Sequence, residues 1–165
     1  RAAAMMQAAG ATAGVVALSG DIKTFGRFPG GARFQFGIRH PRNDGAVLAT
    51  LDMQDEAIST AGDYERFFER DGVRYHHILD PRTGQPARGA ISVTVLHASA
   101  AVADAAATAM LIAGEKEWHA VARAMGVKHV LLVDPQQRVH MDPETATRVK
   151  FEIEPPPTVI VSEPL

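Results

Sequence analysis

Polar and apolar positions along the chain fall into short runs, each closed by a turn former. Residues 1–9 are dominated by Ala, Met and Gln, strong helix formers, and stop at Gly10, a residue suited to a helix C-terminus. The run Gly14-Val15-Val16-Ala17-Leu18 followed by Ser19-Gly20-Asp21 predicts a buried strand and a tight turn. After the Pro29-Gly30-Gly31 loop, Arg33 to Ile38 alternates with period two, as a half-buried strand does. Residues 46–53 and 56–60 predict two further strands. Between Tyr64 and Ile78 the dipeptide Asp71-Gly72 predicts a hairpin, because Asp-Gly supplies the positive φ values of a tight turn. Pro81 and Pro86 lack ladder donors and end that pairing. Ile91 to His97 alternates again, and Ser99 is placed to cap an alanine-rich helix running to Ala113 and closed by Gly114. Apolar residues at helical spacing between Glu115 and Met125 predict a third helix. A strand over 128–133, a turn at Asp134-Pro135 and a partner strand over 138–141 follow. Pro155-Pro156-Pro157 predicts extended chain, so residues 152–165 are expected to form a Pro-rich tail. Strands outnumber helices without alternating with them. The expected fold class is therefore α+β, a mixed, mostly antiparallel sheet flanked by helices, rather than a doubly wound sheet.

At 165 residues and 17.7 kDa, the chain has the size of one domain. Its 17 Lys+Arg against 19 Asp+Glu give a net charge of -2, which excludes a basic nucleic-acid module. The absence of Cys excludes disulfide frameworks and thiolate metal sites. No apolar run approaches the ~20 residues that span a bilayer. The chain opens at Arg1 rather than Met, which reads as a start inside a longer protein, so that any targeting information is not expected within it.

Three constellations carry candidate chemistry. In Ala103-Asp104-Ala105-Ala106-Ala107-Thr108 the carboxylate and hydroxyl stand four residues apart and share one helix face. Two such oxygens suit Mg²⁺, which completes its shell with water and substrate phosphates. The alternative is that Asp104 offsets the helix dipole while Thr108 packs its methyl group. In His76-His77-Ile78-Leu79-Asp80-Pro81-Arg82-Thr83-Gly84, adjacent histidines on a strand face opposite ways, so only one can serve a given site as acid or base. The alternative is one solvated histidine and one hydrogen-bonded at a sheet edge. Ser59-Thr60-Ala61-Gly62-Asp63-Tyr64, at a strand end, admits close approach of a flat or phosphorylated ligand, or is a plain exit into a turn. Ser19-Gly20-Asp21 is read as a turn first and an acidic site second.

Four of these segments together resemble the ApbE family of FAD:protein FMN transferases, in the family's order. They are Ser19-Gly20-Asp21-Ile22, Thr60-Ala61-Gly62-Asp63-Tyr64, His77-Ile78-Leu79-Asp80-Pro81-Arg82-Thr83-Gly84 and Ala103-Asp104-Ala105-Ala106-Ala107-Thr108. The resemblance runs from Arg1 to about Phe151. It implies that residues 1–151 are the C-terminal part of such a domain. The activity implied is transfer of FMN from FAD to a Thr or Ser hydroxyl of an acceptor flavoprotein, with release of AMP and dependence on Mg²⁺. By the same resemblance, Asp104 and Thr108 would be metal ligands and His77 the catalytic base. Leu79, Gly62, Asp63 and Thr83 would lie against FAD. Implied acceptors are subunits of sodium-pumping NADH:quinone reductases or Rnf-type complexes, and the implied location is periplasmic or that of an inner-membrane-anchored lipoprotein. Two alternatives stand beside this reading: a non-catalytic module that binds FAD or docks a redox partner, and an incomplete fragment without independent activity. Where the family commonly has Gly-Gly-Asp, this chain has Ser19-Gly20-Asp21, and the family's upstream half, with further FAD contacts, is not in the chain.

Overall fold

The computed structural model describes all 165 residues, Arg1–Leu165. Helix α1 (Ala2–Ala8) leads into a hairpin of β1 (Gly14–Leu18) and β2 (Asp21–Phe25). Strands β3 (Phe34–Arg39), β4 (Val47–Met53) and β5 (Ala57–Gly62) follow. A second hairpin comprises β6 (Phe67–Arg70) and β7 (Val73–His76), and a short one β8 (Leu79–Asp80) and β9 (Gln85–Pro86). Strand β10 (Ser92–His97) precedes α2 (Ala100–Ala113) and α3 (Trp118–Ala124). The remainder is β11 (His129–Val133), β12 (Val139–Met141), α4 (Pro143–Arg148), β13 (Lys150–Phe151) and β14 (Val159–Val161).

Seven strands form the main sheet in the order β1-β2-β5-β10-β11-β12-β14, and β13-β4-β3 form a smaller one. Every pairing is antiparallel except β12 with β14. The expected α+β, mostly antiparallel class is what is found. Three layers result, and the strand pleat assigns each side chain to one interface. Val93, Val95, Val130 and Leu132 pack under α2 and α3, whereas Leu96, Leu131, Val133 and Met141 pack against Leu48, Leu51 and Met53 of β4. Central strands buried on both faces are apolar at consecutive positions. Leu131 and Leu132 show this, each fully buried on its own side and contributing about 1.5–3 kcal/mol by leaving water.

Local chemistry set most of the element ends. Asp71 and Gly72 take φ of 52° and 73°, as the Asp-Gly turn requires. Gly114 closes α2 with φ 73°. Ser99 stands at the N-cap position, but its side chain makes no capping bond; its backbone N–H donates to His97 Nδ1 at 2.9 Å instead. Three expectations are corrected. β1 is an edge strand with Val15 and Leu18 exposed, not a buried one. The expected Pro-rich tail adds strand β14 to the main sheet, beside β12. Between β12 and β13, α4 went unpredicted, although Asp142-Pro143 is a helix-start signal: the Asp142 carboxylate accepts from Thr145 N–H, with Pro143 at the first helical position.

A buried ion-pair network closes the β11–β12 turn. The fully buried Asp134 carboxylate accepts from His140 Nε2 at 2.8 Å and from Arg138 Nε at 2.6 Å, and Arg138 Nη2 also reaches Glu115 Oε2 at 2.9 Å. Burial pushes the Asp134 carboxyl up, but hydrogen bonds from His140, the Arg138 N–H and the Arg138 guanidinium outweigh it and hold it at about 2, below the ordinary 3.8. A depressed folded-state value contributes stability that is complete above about pH 4 and lost as pH falls towards 2. In urea titrations the unfolding midpoint is expected to fall across that window. The Asp134→Asn variant should be less stable at neutral pH and should lose less on acidification. Equal acid losses in the two proteins would contradict the assignment.

Candidate active site

Strand β5 is paired with β10 along its whole length, but its other edge meets β2 only at Ile22↔Ile58 and Lys23↔Ala57. β2 starts at Asp21, straight out of a turn in which Ser19 and Gly20 take φ of 51° and 99°. The serine standing where the family has glycine thus adopts the left-handed conformation itself. From Ser59 to Gly62 the outer edge of β5 therefore faces a gap rather than a strand. This gap is a cavity of about 670 Å³, walled by the β1–β2 turn, Gly37–Arg39 of β3, the end of β5, Tyr64–Arg66, His77-Ile78 and two residues of α2, Asp104 and Thr108.

Helix α2 meets the sheet through Ala103, Ala106 and Ala107, whose small side chains allow close approach. Asp104 and Thr108 flank that stripe, one helical turn apart, and both line the cavity. Neither side chain forms an ion pair or hydrogen bond within the chain, so a carboxylate and a hydroxyl stand open to the same space.

The two histidines part as strand geometry requires. His76 is buried, with Nε2 2.7 Å from the Ala87 carbonyl oxygen and Nδ1 accepting from Ile78 N–H at 3.4 Å. His77 is exposed to the cavity; its backbone N–H donates to the Arg66 carbonyl at 3.2 Å, and its Nδ1 lies 3.3 Å from the same oxygen. An Nδ1–H donated there leaves the lone pair on Nε2, the form a general base needs. Tyr64 covers Gly62. Burial, then the nearby Glu65 carboxylate, push its phenol above the ordinary 10.0 despite opposition from Arg39, so it stays neutral.

Of the residues singled out from sequence, His77, Gly62, Asp104 and Thr108 meet at this cavity, and Asp63, Leu79 and Thr83 do not line it. Asp63 faces the other way, its two carboxylate oxygens each 2.6 Å from an Arg42 guanidinium nitrogen. Leu79 is 51% exposed, and its neighbour Ile78 lines the cavity instead. The Thr83 hydroxyl accepts from Gln85 N–H at 3.2 Å, bracing the turn between β8 and β9. Arg66, which sequence reasoning passed over, lines the cavity without a carboxylate partner. Its signal was its place in the Tyr64-Glu65-Arg66 segment after the Gly62 motif.

A second acidic group, Glu115, Asp134 and His140, has ligand atoms within 4.8 Å of one another. Arg138 already supplies the cation there, bound to both carboxylates. The carboxylates of that cluster are already engaged by a guanidinium, whereas Asp104 and Thr108 are not engaged. Open acid and hydroxyl oxygens in one cavity with an imidazole can hold a divalent cation against an anionic substrate while the imidazole accepts a proton from an attacking hydroxyl.

An α+β chain with such a cleft has close relatives. The ApbE family model matches residues 1–131. A protein of Rhodobacter capsulatus named FAD:protein FMN transferase is 39% identical over 145 residues, covering 88% of this chain and 28% of the relative. One of the same name from Treponema pallidum is 40% identical over 116 residues, covering 69% of this chain and 32% of the relative. Among solved structures, the ApbE protein of Thermotoga maritima superposes with a TM-score of 0.74 at 39% identity, over 86% of this chain and 45% of that one. The flavin transferase ApbE from Vibrio cholerae gives 0.74 at 32%, over 88% and 47%. The chain belongs to the ApbE family. It spans less than half the length of these relatives.

The Gly62 position tests the packing of the site. A Cβ there would lie 2.4 Å from Tyr64 Cε1 and 2.9 Å from Cδ1, so any side chain must drive the ring away. Gly62→Ala is expected to destabilise the chain by about 1–3 kcal/mol, the range for overpacking. Denaturant unfolding measures this, and an unchanged midpoint would contradict the packing.

Proposed function

We propose that the protein carrying this chain transfers FMN from FAD to a Thr or Ser hydroxyl of an acceptor flavoprotein and releases AMP. The observation that carries this reading is the meeting of Asp104, Thr108 and His77 around one cavity, in a chain whose relatives are named FAD:protein FMN transferase. The acceptor oxygen forms a bond to the FMN phosphorus, the bond from that phosphorus to the bridging oxygen of the diphosphate breaks, and AMP leaves with that oxygen. The acceptor proton passes to His77 Nε2, whose orientation is set by the Arg66 carbonyl. Transfer between phosphates demands positioning and charge neutralisation more than covalent help from the protein.

Asp104 and Thr108 fit a hard divalent cation such as Mg²⁺, because both offer oxygens free of protein partners and leave positions for water and phosphate. When bound, that ion would neutralise charge on the diphosphate. Arg66 adds a fixed positive charge to the same wall. The acceptors fitting this reading by family resemblance are subunits of sodium-pumping NADH:quinone reductases and Rnf-type complexes.

AMP release from FAD, with acceptor and Mg²⁺, is the direct assay for the complete polypeptide. Asp104→Ala is expected to abolish it. His77→Ala should slow it by about 10²–10⁴-fold, the usual range for a lost general base, while leaving FAD binding intact. Undiminished AMP release by either variant would overturn the role given to that residue.

A further inference from the structure

Gly62 and Asp63 are neighbours at the end of β5, and His76 and His77 are neighbours at the end of β7. In each pair one residue lines the candidate active cavity and the other a second cavity of about 490 Å³. Arg42, Arg74 and Arg88 line this second space, and Asp63 is the one acid among its walls. Asp63 is consumed by Arg42, at 2.6 Å through both oxygens, and lies 3.6 Å from Arg74 Nη1. Arg74 Nε and Nη2 donate to Glu69 at 3.2 and 3.0 Å on the hairpin's outer side. Arg88 has no carboxylate partner; its Nη2 reaches only the Arg74 carbonyl, at 3.4 Å. Both ring nitrogens of His76 are engaged, by Ala87 and Ile78.

Three guanidinium groups against the two carboxylates of Asp63 and Glu69 leave one positive charge in excess, that of Arg88, together with unused N–H donors. Guanidinium is the side chain best matched to compact oxyanions, which it binds through paired N–H groups. We propose that this second cavity is a binding site for a small polyvalent oxyanion, a phosphate or diphosphate group or a di- or tricarboxylate. Arg88 is the free clamp, and Arg42 and Arg74 are held in place by Asp63 and Glu69 respectively. The site is separate from the one assigned to flavin transfer and does not rest on that assignment. It also gives Asp63 a role that its place in the Thr60-Ala61-Gly62-Asp63-Tyr64 motif does not suggest: it positions arginines rather than touching the flavin.

Isothermal titration of the complete polypeptide in metal-free buffer, with inorganic diphosphate and with citrate as probes, tests the proposal. One-to-one saturable binding of at least one probe is expected, weakening as salt is raised. Binding of diphosphate alone identifies a phosphate ligand, and of citrate alone a carboxylate ligand. Arg88→Ala should weaken binding at least tenfold while leaving the unfolding midpoint without anion unchanged, because Arg88 is in no ion pair. Asp104→Asn, outside the second cavity, should bind as the parent does. The proposal is overturned if neither probe saturates at millimolar concentration, if Arg88→Ala binds normally, or if Asp104→Asn abolishes binding and so moves the anion to the first cavity.

Discussion

One edge of β5 governs the site. Because β2 leaves it after Ile58, four residues of that strand border open space instead of a neighbour, in a sheet otherwise continuous from β1 to β14. A gap in a sheet collapses unless its walls are held independently. Here β10 holds β5 from one side, α2 covers it through alanines, and the Ser19-Gly20 turn forms the far lip. The helix cannot slide along the sheet. Its last turn abuts Gly89, where a Cβ would lie 2.6 Å from Gly114 Cα, so only two glycines permit that approach. Fixing the helix fixes Asp104 and Thr108 against the gap.

Electrostatics then separates frame from function. The strong charge clusters are internally paired: Arg138 with Asp134 and Glu115, and Arg148 with Glu56 at 2.6 Å. Such pairs, with their hydrogen bonds complete, set the geometry of turns and of layer contacts. Each of the two cavities is lined by uncommitted groups: Asp104, Thr108 and Arg66 at one, Arg88 at the other. A side chain that the fold holds near others without pairing it is available to a ligand, and the two cavities differ in that only the first offers an open carboxylate, Asp104.

Much of this was legible in the sequence because it rests on local rules. Asp71-Gly72 set its hairpin, the alternation from Ile91 to His97 marked a central strand, and the four-residue spacing placed Asp104 and Thr108 on one helix face. Period two also separated His76 from His77. The same rule, applied to Gly62 and Asp63, turns Asp63 away from the cavity that Gly62 lines and into the second cavity, as the structure has it. Leu79 escaped the rule because β7 ends at His76 and the chain bends before β8, so counting in twos from His77 no longer tracks a face. What no local rule carries is long-range pairing. Neither the parallel pairing of β14 with β12 nor the parting of β2 from β5 has a signature in the residues themselves, and the cavity depends on the second.

The central claim is that the open oxygens of Asp104 and Thr108 form the chain's divalent-cation site. Anomalous scattering from crystals of the complete polypeptide grown with Mn²⁺, which shares magnesium's preference for oxygen ligands, measures this directly. The account predicts a peak within about 2.0–2.3 Å of both an Asp104 carboxylate oxygen and Thr108 Oγ1, facing the cavity that His77 lines. A peak at Glu115, Asp134 and His140, with none at Asp104, would contradict it.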